Sequence, residues 1–185
     1  MKEKKRLVIL IGILLVLLAL LIGLHFFNKK EEEKKEQQEQ ESQIEVTDFS
    51  GKLKSITYKN DSGKVQLRKT KDSWRFAGDQ KTELDQSYPD TMESEILGLT
   101  AQRELENPDE LQDYGLDQPA YTIRAVDEAG KEMRIYIGAA SDSEYYFTVD
   151  DKKKIYVGAS TLVSSIQYEK DQLIKKDTDD SESTE

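Results

Sequence analysis

A run of 21 uncharged, mostly aliphatic residues, Leu7 to Phe27, constrains the fold of this chain more than any other feature. The run contains no proline, and as a helix with a rise of about 1.5 Å per residue it would be about 31 Å long, which matches the hydrocarbon core of a bilayer. A cleaved secretory signal has a shorter apolar core and a small-residue cleavage site, and the residues after Phe27 offer no such site. The sequence therefore predicts an uncleaved transmembrane helix that anchors the protein in the lipid bilayer.

The charges that flank this run bear on its orientation. Four basic residues lie within residues 1–6, and four more lie between Lys29 and Lys35, so the basic counts on the two sides are nearly equal. The basic head, residues 1–6, directly adjoins the apolar run as in signal anchors, and positive charge favours the cytoplasmic side. We therefore expect a single-pass protein of the cell membrane with a cytoplasmic N-terminus and an extracytoplasmic domain.

The overall charge limits the classes of partner. The chain has 27 Lys and Arg against 37 Asp and Glu, for a formal net charge of −10. Nucleic acids and anionic membrane surfaces are bound through clustered Lys and Arg, so this balance argues against both. The chain also has no cysteine, which excludes disulfides, thiol catalysis and thiolate metal sites.

Composition divides the rest of the chain into three parts. Residues 28–43 consist almost entirely of Lys, Glu and Gln, so they cannot bury apolar surface. This composition predicts a charged stalk that is either a solvated helix or a disordered spacer. Residues 44–170 have the apolar content of one domain and contain all nine tyrosines and the only tryptophan. Residues 171–185, which include the acidic run Asp177 to Glu185, are predicted to form a disordered acidic tail.

Alternating apolar residues between turn sequences indicate antiparallel strands in the first part of the domain. Leu53 to Tyr58 and Val65 to Leu67 predict a hairpin, with Gly63 available for the turn. Trp74 and Phe76 lie on one face of a third short strand. This part of the domain is therefore expected to be antiparallel sheet.

One helix is predicted in the middle of the domain. Asp90 is expected to cap its N-terminus, with Glu93 three residues further on, as in a capping box. Met92, Ile96 and Leu99 are expected to form its buried stripe.

The second part of the domain returns to short strands. The predicted elements are a strand over 103–106, a helical turn over 107–115, strands over 121–125 and 133–137, a hairpin of 145–149 with 155–157, and a closing helix or turn over 159–166. We therefore expect an α+β fold, mainly antiparallel sheet with one central helix, preceded by a single transmembrane helix.

A Tyr-Gly-Leu-Asp-x-Pro motif runs from Tyr114 to Pro119. It is followed by a strand, an Asp-x-x-Gly-Lys turn, a strand ending in Ile-Gly, and the segments 145–147 and 155–157. With this succession, the chain from Leu53 to Ile166 resembles the bacterial domain of unknown function numbered four-three-four-zero. The resemblance implies an N-terminally anchored extracytoplasmic protein, some relatives of which are associated with gliding-type ABC transporter components, and it supplies no catalytic residues.

The residues of this motif also have a structural interpretation, which we prefer to ligand contact. Gly115 supplies the backbone conformation that ends a helical turn. Pro119 precedes a strand, where its missing N–H does no harm. Tyr114 and Leu116 are then expected to be buried.

The domain lacks the residue sets of common catalytic sites. It has no Cys, no His and no phosphate-binding loop of the GxxxxGK[ST] or GxGxxG type. Two carboxylates would suffice for glycoside hydrolysis, but nearly all its acidic residues lie in predicted turns or on polar strand faces. We therefore predict no catalytic residue, no cofactor and no metal site, and a carboxylate-based cell-wall glycan enzyme stays as an alternative.

Three tyrosines are the candidate partner-binding residues. Tyr136, Tyr146 and Tyr156 alternate with apolar residues in three predicted strands and are expected to share the second face of the sheet. If that face is open, they form a tyrosine patch of the kind found at interfaces. If a helix covers it, they are half-buried packing residues.

The function expected from these observations is binding. The sequence predicts a non-catalytic binding or accessory protein of the bacterial cell envelope, which has a protein partner in the membrane or envelope. The resemblance to the family implies that this partner is an ABC transporter. A structural subunit that assembles through sheet edges is a further alternative.

Overall fold

The computed structural model describes residues 43–176 of the chain. The predicted basic head, the anchor Leu7 to Phe27, the predicted stalk before Gln43 and the acidic run Asp177 to Glu185 all lie outside the described residues. Among the helices of residues 43–176, none has the length and apolar character needed to span a bilayer.

A nine-stranded sheet is the framework of the described chain, and every pair of neighbouring strands in it is antiparallel. The strands are β1 (Ile44–Glu45), β2 (Leu53–Asn60), β3 (Gly63–Thr70), β4 (Ser73–Phe76), β5 (Thr100–Glu104), β6 (Tyr121–Asp127), β7 (Glu132–Ser141), β8 (Glu144–Val149) and β9 (Tyr156–Gly158). Their order across the sheet is β1-β5-β9-β8-β7-β6-β2-β3-β4. The expectation of a mainly antiparallel sheet is confirmed.

Two α-helices and two short 3₁₀ helices complete the described part of the chain. They are α1 (Ser87–Leu97), α2 (Ser160–Ile166) and the 3₁₀ helices Leu111–Tyr114 and Lys170–Leu173. The closing helix or turn expected over 159–166 is a helix, α2, so the described residues contain a second α-helix besides the predicted central one.

Helix α1 begins three residues before the cap predicted at Asp90, which lies within its first turn. The carboxylate of Asp85 instead accepts hydrogen bonds from the N–H (3.0 Å) and the hydroxyl (2.6 Å) of Ser87. The residue between them, Gln86, accepts a hydrogen bond from the N–H of Trp74 (2.7 Å) and donates to its carbonyl oxygen (3.2 Å). This pairing joins the residue directly before the helix to the edge strand β4, and the local sequence pattern does not indicate it.

The hydrophobic core lies between the sheet and the two helices, on what we call the helix-bearing face. Its largest fully buried side chains are those of Trp74, Tyr58 and Phe147. The Tyr58 hydroxyl donates to the carbonyl oxygen of Tyr168 (2.8 Å), and burial raises the pKa of Tyr58 well above its usual value. Leu173 is also fully buried in this core, so the folded domain continues beyond the predicted boundary at residue 170.

A largely buried ion pair joins α1 to the sheet. The Glu93 carboxylate lies 2.6 Å from the Lys69 ammonium group and also accepts a hydrogen bond from the N–H of Leu53 (2.8 Å). The side chains of Lys69 and Glu93 are 14% and 11% exposed. The Lys69 nitrogen lies 5.1 Å from the centre of the Trp74 ring, so both charges have partners on the helix-bearing face.

Candidate interaction face

The sheet face that points away from the helices, the second face, is covered over part of its area. Glycine at 138 in β7 allows the segment around Tyr114 to lie directly on the strand, because a Cβ atom at Gly138 would lie 2.2 Å from the Tyr114 carbonyl oxygen. Gly115 has the predicted left-handed conformation, with φ of +69°, and ends the 3₁₀ helix. Leu116 is fully buried, as predicted, whereas Tyr114 is half-buried and not buried as expected.

The structure brings two of the three predicted tyrosines together on the second face. Tyr136 pairs with Thr148, which shares a strand face with Tyr146. In contrast, Tyr156 pairs with Phe147 and lies on the helix-bearing face, where it is 7% exposed and its ring centre is 5.3 Å from that of Phe147. The predicted grouping is therefore wrong for Tyr156, because the register of β8 and β9 places Val157, not Tyr156, beside Tyr146.

Tyr136 and Tyr146 differ in their surroundings. The Tyr146 ring packs against the Tyr114 ring, with 4.9 Å between the centres, beneath the covering segment. The Lys152 ammonium group lies 4.4 Å from the centre of the Tyr136 ring and donates a hydrogen bond to the Leu116 carbonyl oxygen (2.8 Å). Tyr136 therefore lies at the border between the covered part of the second face and an open part.

The open part of the second face is formed by β4, β3, β2, β6 and β7, and we call it the open basic face. Its outward-pointing side chains include only one acid, Glu132, together with neutral residues such as Thr57 and Gln66. Six basic side chains lie on it: Lys59, Lys64, Arg68, Arg75, Arg124 and Arg134.

These basic residues form three directly opposed pairs. Lys59 opposes Lys64 between β2 and β3. Arg68 opposes Arg75 between β3 and β4, and Arg124 opposes Arg134 between β6 and β7. Like charges directly opposite each other on one sheet face are destabilising, so the pairs cannot be explained as contributions to the stability of the sheet.

Glu132 compensates one of these pairs. Its carboxylate accepts hydrogen bonds from both Arg124 and Arg134, the latter at 3.0 Å. The hydrogen bond from Arg124 is the main cause of the lowered pKa of Glu132, and it also raises the pKa of the Arg124 guanidinium. One carboxylate thus serves two guanidinium groups and leaves a net positive charge.

The net charge of the chain did not reveal this surface. Residues 43–176 contain 19 basic and 25 acidic side chains, a net charge of −6, yet six of the basic residues collect on one sheet face. An acidic net charge therefore does not exclude a local cluster of cations. The sequence signal is the alternation of Lys64, Gln66 and Arg68 with apolar residues, which places two basic side chains on one face of the predicted strand.

One of the clefts of the described residues bears on the carboxylate alternative. A cleft of about 710 Å³ beside β4 contains two acids, Glu83 and Asp85. Glu83 lies 3.8 Å from both Arg75 and Lys175, and hydrogen bonds from the hydroxyl and N–H of Ser87 lower the pKa of Asp85. A catalytic general acid has a raised pKa, so this cleft does not support that alternative.

Comparison with known proteins places the chain in a family. No curated protein and no solved structure matches it significantly. Residues 74–182 match the family described as Domain of unknown function (DUF4340), and this segment contains strands β5 to β9, all but the first residue of β4, both α-helices and the Tyr-Gly-Leu motif. Because the match extends over more than half of the chain, the protein belongs to this family, as its resemblance indicated.

Proposed function

We propose that this protein is a membrane-anchored, extracytoplasmic accessory protein of the bacterial cell envelope, without catalytic activity, which binds at the membrane through its open basic face. In this proposal Leu7 to Phe27 form the anchor, and the N-terminus is cytoplasmic. We propose that its partner protein is a component of an ABC transporter.

The observation that carries this proposal is the set of three opposed basic pairs on an exposed sheet face. A surface that only needs to be soluble intersperses the two signs of charge. Here the like charges are kept together although they weaken the pairing of the strands. A cluster of one sign of charge on an exposed face that does not stabilise the sheet supports a role in binding a partner of opposite charge.

The membrane part of the proposal is supported by the sequence. Leu7 to Phe27 have the length and the apolar character of a transmembrane helix. Extraction of cell membranes with alkaline carbonate tests it, because an anchored protein stays in the pellet. Release of the full-length protein into the supernatant would contradict the anchor.

The binding part is tested by cross-linking in cells. A photo-reactive amino acid is introduced at Gln66, at the centre of the open basic face, or at Thr91, which is exposed on helix α1. We expect reproducible cross-links to membrane components from position 66 and none from position 91. Equal yields from both positions would contradict a specific binding face.

One observation also favours the alternative of a self-assembling subunit. Strand β1 covers only Thr100 and Ala101 of β5, and within residues 43–176 no strand pairs with the rest of that outer edge. An uncovered strand edge can pair with another chain. Sedimentation of the full-length protein in detergent over a hundredfold range of concentration tests it, and a monomer throughout would contradict it.

A further inference from the structure

We infer that the open basic face binds the anionic phospholipid headgroups of the membrane that holds the anchor, so that the domain lies with this face toward the bilayer. This inference rests on the proposed function, because it names the partner of the same face and requires the anchor. It is carried by the shape of the face, by the distribution of charge over the domain and by the length of the connecting segment.

The shape of the face fits an extended surface of anions. Across its five strands the face is about 19 Å wide, because neighbouring strands are usually about 4.8 Å apart. Along the strands, the pairs Lys59–Lys64, Arg124–Arg134 and Arg68–Arg75 lie at three successive levels, about 7 Å apart, because their positions differ by two residues. The cations therefore spread over a plane and do not converge on a cleft, as they would around one small anion.

The charge of the rest of the domain favours the same orientation. When the six basic residues and Glu132 of the face are set aside, residues 43–176 keep 13 basic and 24 acidic side chains. The face carries a net charge of +5, and the remainder carries −11. An anionic surface therefore attracts this one face and repels the other sides of the domain.

Because the anchor holds the domain near the membrane, a weak contact between the open basic face and the headgroups is sufficient to orient the domain. Residues 28–43 connect the predicted anchor to β1, and 16 residues can span at most about 55 Å. The domain is thus confined near the bilayer, where its effective concentration toward the headgroups is high. Several separate charge contacts of modest strength then determine the orientation of the domain.

The absence of cysteine allows a direct test with the full-length chain. A single cysteine is introduced by Thr57→Cys, at the centre of the face, or by Ser164→Cys on the exposed side of α2, and is labelled with an environment-sensitive fluorophore. Each protein is inserted into nanodiscs of phosphatidylcholine alone or with 30% phosphatidylglycerol. We expect a blue shift at position 57 that requires phosphatidylglycerol and disappears in 0.5 M NaCl, and no shift at position 164.

Charge variants identify the residues that bind. Lys59→Gln, Lys64→Gln and Arg68→Gln together are expected to reduce the shift at position 57 by at least half. The matched control removes the same charge elsewhere, at Lys81, Lys153 and Lys154, and is expected to keep the shift. Circular dichroism checks that both triple variants are folded.

Several outcomes would overturn the inference. A shift that is the same without phosphatidylglycerol, or equal losses in the two triple variants, would exclude specific binding of anionic lipid. If the fluorescence shift at position 57 disappears when residues 177–185 are removed, the acidic run, and not lipid, binds the open basic face. Failure of the protein to enter nanodiscs at all would refute the proposed function, whereas insertion without a shift at position 57 would refute only this inference.

Discussion

Gly138 permits a contact between two segments of backbone that no other residue allows. A Cβ atom at this position would lie 2.2 Å from the Tyr114 carbonyl oxygen and 2.9 Å from the carbonyl carbon of Gly115. The atoms that would have to move belong to backbone and not to a flexible side chain. The position of the covering segment on β7 therefore depends on this single glycine.

We predict that Gly138→Ala lowers the free energy of unfolding by about 3 kcal/mol or more, because overlap with fixed backbone forces the covering segment off the sheet. Urea unfolding measures this change. Gly78→Ala is the matched control, since no atom lies within 4 Å of its Cβ position, and it is expected to change stability by less than about 0.5 kcal/mol. A Gly138→Ala variant as stable as that control would contradict the assigned contact.

The ion pair of Lys69 with Glu93 leads to a second prediction at this scale. Glu93→Gln is expected to destabilise the domain by about 2–3 kcal/mol, because it leaves a largely buried ammonium group without its counter-charge. The control is Glu83→Gln, whose side chain is 62% exposed and 3.8 Å from Arg75, and for such a pair we expect less than about 1 kcal/mol. Thermal unfolding at neutral pH compares the two, and equal effects would refute a special role for the buried pair.

Among the elements, the loop after β4 is stabilised mainly by one carboxylate. Asp79 accepts hydrogen bonds from the hydroxyl of Thr82 (2.6 Å), the N–H of Lys81 (2.9 Å) and the N–H of Thr82 (3.2 Å). The first of these contributes most to the lowering of the pKa of Asp79 from 3.8 to about 2. The loop then leads to Gln86, which pairs with β4, so the carboxylate supports the sheet edge.

This lowered pKa predicts how the stability of the domain depends on pH. A carboxylate whose pKa is lower in the folded state stabilises it above the unfolded pKa, and this contribution is lost as the pH falls through the folded pKa. We therefore expect Asp79→Asn to be less stable than the wild type at pH 7, and the difference to shrink between about pH 4 and pH 2. Unfolding in urea at several pH values measures it, and a difference independent of pH would contradict the assignment.

Over the whole molecule, the main feature is the separation of a basic face from an otherwise acidic domain. Glu132 is the acidic residue on this face, and it compensates the charges of Arg124 and Arg134 at the same time. The negative charge of Glu132 therefore affects both the stability of the sheet and the net charge of the open basic face.

We predict that Glu132→Gln has opposite effects on these two properties. Stability is expected to fall, because the two guanidinium groups lose their shared counter-charge and repel each other. The lipid-dependent fluorescence shift at position 57 is expected to increase, because the face gains one positive charge. The nanodisc assay and urea unfolding on the same variant check both effects, and a smaller shift would contradict the electrostatic explanation.

Local elements of this fold could be predicted from the sequence, and long-range ones could not. The hairpin of β2 and β3 was predicted because its alternation and its turn lie within a few adjacent residues. The pairing of β2 with β6 joins residues far apart in the chain, such as Thr57 and Arg124. The start of α1 and the side on which Tyr156 lies likewise depend on partners that the local pattern does not specify.

The candidate site could be predicted from the sequence only in part. The open basic face combines residues from two separate parts of the chain, of which 59–75 has six basic and two acidic side chains and 124–134 has three of each. The sequence therefore indicates a basic hairpin, but not the five-stranded face that the pairing of β2 with β6 assembles. Of the three tyrosines expected to form the site, only Tyr136 borders this face. Net charge was misleading because it averages over surfaces that point in opposite directions.

The carboxamide of Gln86 has a consequence for the geometry of any assembly. This carboxamide hydrogen-bonds to the outward N–H and carbonyl oxygen of Trp74. The backbone N–H of Asp79 and the side-chain amide of Gln80 donate to the carbonyl oxygen of Phe76. Within the described residues, this end of the sheet is terminated by side chains and a tight turn, whereas the β5 end is not. A protein whose sheet has only one edge free to pair can form a two-fold symmetric dimer, because a filament needs a free edge at both ends of the sheet. Growth by strand addition would therefore stop at a dimer.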